Sequence, residues 1–512
     1  MVDLLNRVLD ANRNETGDIN LISNGYFRIV NIKVGGNVVI TNSRLSAETA
    51  QRNYVNDSQD PRGRAGKIEV TSRTGEIKIS NSSLSTTTGS SKADPGNILL
   101  TAQNGKVLIQ DNSKITNTIE DNSSGINDNS SPKIEIKGRS VEILGKSDDI
   151  SNFSLIDTRT SGIGKGADVI VTAISGGVIR IENSTIDAST HKSATGGGGN
   201  ISLNADSGGS ISLTRSTLFT DTFSSGKGGN IEISAENGSI SLNSFLPLET
   251  KFFDGKATLV ATVNPDASGT GGDMNLKAKT VVLENGAKIE TQTAGTPDPS
   301  DPNKNAQAGN ITVNVQDSVT MSGQSELNAK TTGSANAGSV KITANKLRIK
   351  GASKATATSE GSGKAEDITI VGANSVLLSR SEFTDFREVS TPGIGLLAEA
   401  TKKGGTAGKI SITTDDLRVE NGAAVTVRSP EGQGGNVVIR AKGIFLDNGA
   451  LLATTAQRNN NPGDGSNIIL LGKETTDEAV DELGSLIEEG KLGSQGKKSL
   501  PGSPLHFIDS GQ

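Results

Sequence analysis

The hexamer Gly-Gly-Asn-Val-Val-Ile at 35–40 recurs along almost the whole chain and decides its fold class. Close copies are Ala-Gly-Lys-Ile-Glu-Val at 65–70, Pro-Gly-Asn-Ile-Leu-Leu at 95–100 and Gly-Gly-Asn-Ile-Ser-Leu at 198–203. Most copies are about thirty residues apart, and a period of about 20–50 residues indicates a solenoid, a propeller or another array. The third residue of the copies falls at Asn37, Lys67, Asn97, Asp168, Asn200, Asn230, Asp273, Asn310, Ser339, Asp367, Lys409, Asn436 and Asn467, with a degenerate copy near Lys133.

Each repeat contains short strands separated by turns, as the copy at 228–262 illustrates. Residues 231–235 alternate apolar and polar, which predicts a strand with one buried face. The turn 236–238 contains Asn-Gly, a second alternating strand follows at 239–242, and a third follows at 257–262. Three short strands per turn of chain predict an all-β, single-stranded parallel β-helix. We expect about fourteen coils with lateral loops, right-handed because parallel crossovers have that hand.

Other fold classes match this pattern poorly. The hydrophobic period is two rather than 3.6, and Gly, Asn, Ser and Thr fill the turns, so helices are disfavoured. A propeller blade needs four strands and about 40–50 residues. A sandwich does not explain a recurring hexamer.

The repeats divide the chain into three parts. Residues 1–34 are expected to form an amino-terminal cap and an opening coil, and residues 35–472 the β-helix. The remainder, 473–512, is predicted to hold a short amphipathic helix over 476–489 and a flexible tail, because Val480, Leu483 and Leu486 have helical spacing. Such a helix would cap the open edge of the last coil.

Composition narrows the functional classes. The net charge is −6 and the basic residues are scattered, so nucleic-acid binding is not expected. Cysteine is absent, which excludes disulfides and thiolate chemistry. No apolar run reaches the roughly 18 residues of a membrane span, so membrane insertion is not expected. Residues 1–9 do not match a signal peptide, which favours a fragment or a truncated reading frame.

Asparagines mark the corners between the second and third strands of many repeats. A stack of such asparagines can form a ladder in which each amide bonds to the next coil, although asparagine also favours turns for local reasons. The predicted ladder positions are Asn81, Asn112, Asn183, Asn285, Asn421 and Asn448.

The insertion at 380–406 is a candidate contact loop, because insertions in solenoids often form the binding face. Its candidate residues are Phe383, Asp385, Phe386 and Arg387. A satellite core over the β-helix is the favoured interpretation of its apolar residues, since exposed apolar patches are uncommon on soluble proteins.

Candidate catalytic groups are few. Asp148-Asp149, Asp415-Asp416 and the Asp385/Arg387 pair are interpreted as solvated charges, and His191 and His506 lack partners at useful spacing. No cofactor or metal site is predicted.

The repeats resemble filamentous haemagglutinin-like exoproteins of two-partner secretion, particularly the cyanobacterial type. The series Gly-Gly-Asn-Ile-x-Ile, a second strand, then Asn-Gly-Ala-x-Ile-x-Thr-x-Thr carries the resemblance over roughly 35–472, with 417–427 and 444–454 as the best local matches. The resemblance implies secretion through an outer-membrane transporter barrel and display at the outer surface of a Gram-negative-type bacterium. The family's amino-terminal Asn-Pro-Asn motif has no match; the Asn-Pro pairs are 264–265 and 461–462.

The predicted function is therefore a non-catalytic, secreted or surface-displayed adhesin or structural rod that contacts a glycan, a cell or matrix. A polysaccharide lyase or hydrolase is the alternative, because parallel β-helices also host such enzymes. Ice or mineral binding through threonine ranks is third, suggested by Thr291-Gln-Thr293, Thr356-Ala-Thr358 and 86–88.

Overall fold

A computed structural model describes most of the chain, and its described residues contain strands and turns but no helix. The described residues are 9–10, 19–22, 26–27, 31–47, 66–87, 96–119, 132–146, 154–244, 257–300, 305–380, 394–402, 405–429, 432, 434–456 and 467–474. The chain divides into two compact units, Met1–Lys279 and Thr280–Gln512, with the boundary inside one strand. The predicted helix at 476–489 and the tail lie outside the described residues.

The first unit is built from short strands that recur three per turn of chain. Its strands are β1 (Leu9–Asp10), β2 (Ile19–Ile22), β3 (Tyr26–Phe27), β4 (Asn31–Val34), β5 (Val38–Thr41), β6 (Arg44–Ser46), β7 (Ile68–Ser72), β8 (Ile77–Ser80), β9 (Ser83–Ser85), β10 (Ile98–Ala102), β11 (Lys106–Gln110), β12 (Lys114–Thr116), β13 (Lys133–Gly138), β14 (Ser140–Leu144), β15 (Ser154–Asp157), β16 (Asp168–Ala173), β17 (Val178–Glu182), β18 (Ser184–Asp187), β19 (Ile201–Ala205), β20 (Ser210–Thr214), β21 (Thr217–Phe219), β22 (Ile231–Asn243) and β23 (Thr258–Val263), followed by β24 (Met274–Glu284), which contains the boundary.

These strands stack in three parallel rows. The first row is β1, β4, β7, β10, β13, β16, β19 and the start of β22. The second row is β2, β5, β8, β11, β14, β17, β20 and the end of β22. The third row is β3, β6, β9, β12, β15, β18, β21 and β23. Pairing with the strand one turn away confirms the predicted parallel β-helix.

The second unit repeats this architecture with longer strands. Its strands are β25 (Lys288–Thr293), β26 (Ile311–Met321), β27 (Glu326–Thr331), β28 (Val340–Lys350), β29 (Lys354–Ser359), β30 (Ile368–Ser379), β31 (Gly395–Ala400), β32 (Ile410–Thr413), β33 (Asp416–Glu420), β34 (Ala424–Ser429), β35 (Val437–Ala441), β36 (Gly443–Asp447), β37 (Leu451–Ala456) and β38 (Ile468–Gly472). In β26, β28 and β30 one strand supplies both the first and second rows. The third row is β25, β27, β29, β31, β34 and β37.

The alternating pattern places aliphatic side chains in the core. Ile231 and Ile233 are buried while Glu232 between them is exposed, so the strand phase predicted from the sequence is confirmed. Ile68, Ile98 and Ile134 occupy one register position on three successive coils. Each buried aliphatic side chain contributes about 1.5–3 kcal/mol before chain entropy is subtracted.

The first copy of the hexamer is out of phase with the others. Its strand β5 pairs with β8 in the second row, whereas the strand that stacks on β7 is β4. The turn 35–37 therefore connects the first and second strands of a coil, whereas the turn 228–230 precedes the first-row part of β22. A Gly-Gly-Asn turn followed by alternating residues suits either corner, and only the stacking partner fixes the phase.

The third residue of the hexamer holds successive coils together. Asn200 Oδ1 accepts the backbone N–H of Asn230 at 2.9 Å, and Asn230 Oδ1 accepts that of Asp273 at 3.0 Å. Asp168 Oδ1 accepts the N–H of Asn200 at 2.8 Å in the same way. A backbone donor at a corner has no strand partner, so a side-chain oxygen at this position satisfies it. This bond explains why Asn or Asp recurs there.

The glycine before that residue allows close approach of the coils. A Cβ built on Gly229 would overlap the carbonyl group of Gly199, and one on Gly199 would overlap that of Ala167. Any side chain at either position would force two stacked backbones apart.

A buried serine column lines the corner between the second and third rows. The N–H of Ser43 donates to Ser82 Oγ at 3.1 Å, and the N–H of Ser82 donates to Ser113 Oγ at 3.3 Å. The second unit has the same bond between Ser325 and Ser353, at 3.1 Å. These hydroxyls supply the acceptors that the turning backbone lacks.

Candidate functional site

The candidate site is a polar groove on the outer face of the third row in the second unit. It crosses β25, β27, β29 and β31 and encloses about 390 Å³. It is lined by outward residues of these strands and by Glu360, which follows the end of β29. The strand residues are Lys288, Glu290, Gln292, Glu326, Asn328, Lys330, Lys354, Thr356, Thr358, Leu397 and Glu399.

Side-chain length produces the concavity. The parallel register aligns Glu290 with Asn328 and Asn328 with Thr356. On one side of this row the aligned residues are the long and charged Lys288, Glu326 and Lys354, and on the other side they are Gln292, Lys330 and Thr358. Asn328 and Thr356 are only 7% and 5% exposed, so their short polar side chains form the floor. Stacked strands are about 4.8 Å apart, which spaces the lining groups regularly along the groove.

Hydrogen bonds fix the floor. Thr356 Oγ1 donates to Asn328 Oδ1 at 2.8 Å, and Asn328 Nδ2 donates to Glu290 Oε2 at 2.8 Å. The first bond uses the amide oxygen and the second uses the amide nitrogen, so the orientation of the Asn328 amide is determined. The floor therefore presents polar groups in defined positions to a ligand.

Three carboxylates of the groove are matched with lysines. Lys288 lies 2.5 Å from Glu290, and Lys330 lies 2.8 Å from Glu360. Lys354 lies 3.3 Å from Glu326 on the preceding coil. Partly exposed ion pairs contribute little stability. Each pair nevertheless balances the charge of one glutamate and restricts the conformations of both side chains.

Glu399 is the exception among the four carboxylates. It is half-buried and makes no hydrogen bond or ion pair with another described residue. Burial raises the pKa of its carboxyl group, and the positive charges of Arg428 and Lys354 oppose this rise. A carboxyl group with a raised pKa in a groove is a candidate for proton transfer or for binding a cation.

Metal binding has no support in the described part of the chain, where no three His, Cys, Asp or Glu side chains lie close enough to hold an ion. The groove offers hydrogen-bond donors and acceptors, paired charges and one unmatched carboxylate. This lining suits a polar, extended ligand.

The six predicted corner asparagines share a left-handed backbone. Their φ angles are 46° at Asn81, 60° at Asn112, 47° at Asn183, 56° at Asn285, 57° at Asn421 and 46° at Asn448. Asparagine tolerates this region better than most residues. Amide-to-amide bonds occur from Asn81 to Asn42 at 2.7 Å and from Asn448 to Asn421 at 2.6 Å. Asn421 donates instead to Ser379 Oγ, at 3.1 Å.

Several predicted positions lie outside the described residues. These are the contact-loop residues Phe383, Asp385, Phe386 and Arg387, the pair Asp148-Asp149, and His506.

The remaining candidates are dispersed. Asp415 lies 2.6 Å from Lys473 and 3.1 Å from Lys442, and hydrogen bonds from both lysines lower the pKa of its carboxyl group. Asp416 and His191 are exposed. Neither aspartate nor the histidine belongs to the groove lining.

The threonines of the predicted Thr-x-Thr ranks point into the core in β25 and outward in β29. Thr291 and Thr293 point into the core with 0% exposure, so their hydroxyls do not reach the surface. Thr356 and Thr358 face outward but lie within the groove. The Thr-x-Thr pattern therefore does not correspond to one exposed face.

Sequence reasoning missed the groove, although a signal for it exists. Third strands carry polar residues at every second position, as in Glu326-x-Asn328-x-Lys330 and Lys354-x-Thr356-x-Thr358. Aligning these strands coil on coil would have shown that Asn328 and Thr356 stack on each other beside a row of charged residues.

No protein-family model, curated protein or solved structure matches the chain. Among the described residues, no helix is long and apolar enough to cross a membrane.

Proposed function

We propose that this chain is a non-catalytic, secreted or surface-displayed adhesin or structural protein, and that the groove of the second unit is its contact surface. The ligand class is a glycan of a cell surface or matrix. The observation that carries the proposal is the groove itself, with its hydrogen-bonded floor of Asn328 and Thr356 between walls of paired charges.

The charge pattern favours binding over catalysis. A glycosidase needs two carboxyl groups with different protonation states, free to act on one bond. In the groove, Glu290, Glu326 and Glu360 are each held by a lysine. Carboxylates held in this way can accept hydrogen bonds from the hydroxyl groups of a ligand.

The resemblance to filamentous haemagglutinin-like exoproteins supports the cellular setting of the proposal. It implies export through an outer-membrane transporter barrel and display on the outer surface. A stacked β-helix also repeats its outward residues along one face, which suits weak contacts with a repeating polymer.

A polysaccharide-acting enzyme is the second candidate, and Glu399 is the observation that favours it. Burial raises the pKa of its carboxyl group, as expected of a general acid, and Glu360 lies in the same groove. A retaining or inverting hydrolase would need one of the paired carboxylates as the second group.

A combined binding and turnover screen tests the proposal. The full chain is applied to a glycan array and incubated with soluble polysaccharides, while new reducing ends and unsaturated products are measured. Thr358→Arg places a long side chain in the groove, and Thr343→Arg makes the same change in β28, outside it.

We expect the chain to bind a glycan without releasing products. Thr358→Arg should weaken this binding, and Thr343→Arg should preserve it. Product release that Glu399→Gln abolishes would establish the enzyme instead. If neither arginine variant changes the affinity for the glycan, the contact surface lies elsewhere.

A further inference from the structure

The charges of the groove do not balance. Three lysines and four glutamates line it, and three of the glutamates have a lysine within 3.3 Å. The fourth, Glu399, leaves one excess negative charge at the β31 end of the groove. A ligand that fits the groove therefore meets one carboxylate that no described residue neutralises by direct contact.

The surroundings of Glu399 are polar but offer it no direct partner. It aligns with Thr358 on β29 and with Arg428 on β34. Arg428 and Lys354 act on it through their charge without forming an ion pair, while Lys330 and Glu360 are occupied by each other. An ionised carboxylate that has lost water without gaining a donor is destabilised. A cationic donor from a ligand would remove that penalty.

We propose that the groove selects glycans that carry primary ammonium groups, with the Glu399 carboxylate as the counter-ion of one ammonium group. The inference rests on the proposed function, because it names the ligand class of the same groove. The sugar hydroxyls would bond to the floor at Asn328 and Thr356 and to the neighbouring Thr358.

The lining favours an amino sugar over other cations. A divalent ion needs several oxygen ligands, and the other three carboxylates are held by lysines. A basic peptide would also present apolar side chains, yet Leu397 is the one apolar residue among the lining residues. Amide, hydroxyl and charged groups at regular spacing match a polymer whose hydroxyls and amines repeat.

A comparison of two oligosaccharides tests the inference. The full chain is titrated with glucosamine oligomers and with N-acetylglucosamine oligomers of the same length, at a pH where the free amines are protonated. The variants are Glu399→Gln, which is isosteric, Glu399→Asp, which keeps the charge, and Asp416→Asn, an exposed control outside the groove. Circular dichroism and thermal unfolding confirm that each variant folds.

The full chain is expected to bind the amine-bearing oligomer about tenfold more tightly, the effect of one charge-assisted hydrogen bond. Glu399→Gln should reduce that preference to near unity, Glu399→Asp should retain part of it, and Asp416→Asn all of it.

Equal affinity for both oligomers, or a preference that survives Glu399→Gln, would overturn this inference and leave the proposed function standing. An absence of binding to both oligomers and to the whole glycan panel would contradict the proposed function and the inference together. A lysine oligomer that binds as tightly as the amino sugar would overturn the assignment to glycans.

Discussion

The bond made by the third residue of the hexamer can be tested at Asn200. Its Oδ1 accepts the N–H of Asn230 at 2.9 Å, and its Nδ2 lies 3.1 Å from Asp168 Oδ1. Asn200→Ala removes both interactions and leaves the Asn230 amide without its acceptor. Asn204→Ala is the matched control, because Asn204 lies in the same coil on β19 with an exposed side chain.

The cost of Asn200→Ala follows from these contacts. An amide that loses its acceptor in a part-buried position costs about 1–3 kcal/mol. Asp168 Oδ1 still accepts hydrogen bonds from the backbone N–H of residue 200 at 2.8 Å and from Lys165 Nζ at 2.9 Å. The loss of the bond from Asn200 Nδ2 to Asp168 therefore adds little to the cost. We expect about 1.5–3 kcal/mol for Asn200→Ala and within about 0.5 kcal/mol for Asn204→Ala.

Native-state hydrogen exchange is the appropriate assay, because repeat proteins open locally rather than all at once. The expected cost corresponds to exchange about 10–150-fold faster in the peptides that cover β19 and β22. Unchanged exchange in Asn200→Ala, or an equal acceleration in Asn204→Ala, would refute the role assigned to the third residue.

Three further outcomes are expected. Ile231→Asp should cost about 3–5 kcal/mol or more by placing a carboxylate in the core, whereas Glu232→Lys should change the urea midpoint little; equal effects would contradict the strand phase. Gly229→Ala should cost about 1–3 kcal/mol, since a Cβ there overlaps the Gly199 backbone, and unchanged thermal unfolding would contradict that contact. Burial raises the pKa of the Asp187 carboxyl group in the folded chain, and the nearby Asp157 adds to the rise. The stability that protonated Asp187 contributes is therefore complete below its unfolded pKa and is lost as pH rises through the folded pKa. Relative to the wild-type chain, Asp187→Asn should therefore gain stability as pH rises through that window, and a pH-independent difference in unfolding free energy would contradict this.

Much of the β-helix was predictable because local and global signals agree. Alternation at 231–235 specifies which face is buried, and glycine and asparagine specify where the chain turns. The first copy, at 35–40, shows the limit of this reasoning, because it lies at a different corner of the coil from the later copies. The same turn chemistry serves two corners of the coil, and only pairing with β8 distinguishes them.

The groove was not predictable from any single repeat. Asn328 and Thr356 lie in consecutive third-row strands, and each alone is an ordinary outward residue of a strand. Their function as a floor arises from the register that stacks them beside the longer side chains of Glu326, Lys330 and Lys354. The state of Glu399 likewise depends on burial and on the absence of a lysine partner among the described residues, which sequence spacing does not encode.

Hydrogen exchange with and without bound oligosaccharide tests the central claim, that the third-row groove of the second unit is the ligand-binding surface. The full chain is mixed with the oligosaccharide that it binds most tightly, and amide protection is mapped along the sequence. Protection is predicted in peptides covering β25, β27, β29 and β31, with the oligosaccharide recovered intact. Protection confined to the first unit, or to the first and second rows of the second unit, would contradict the claim.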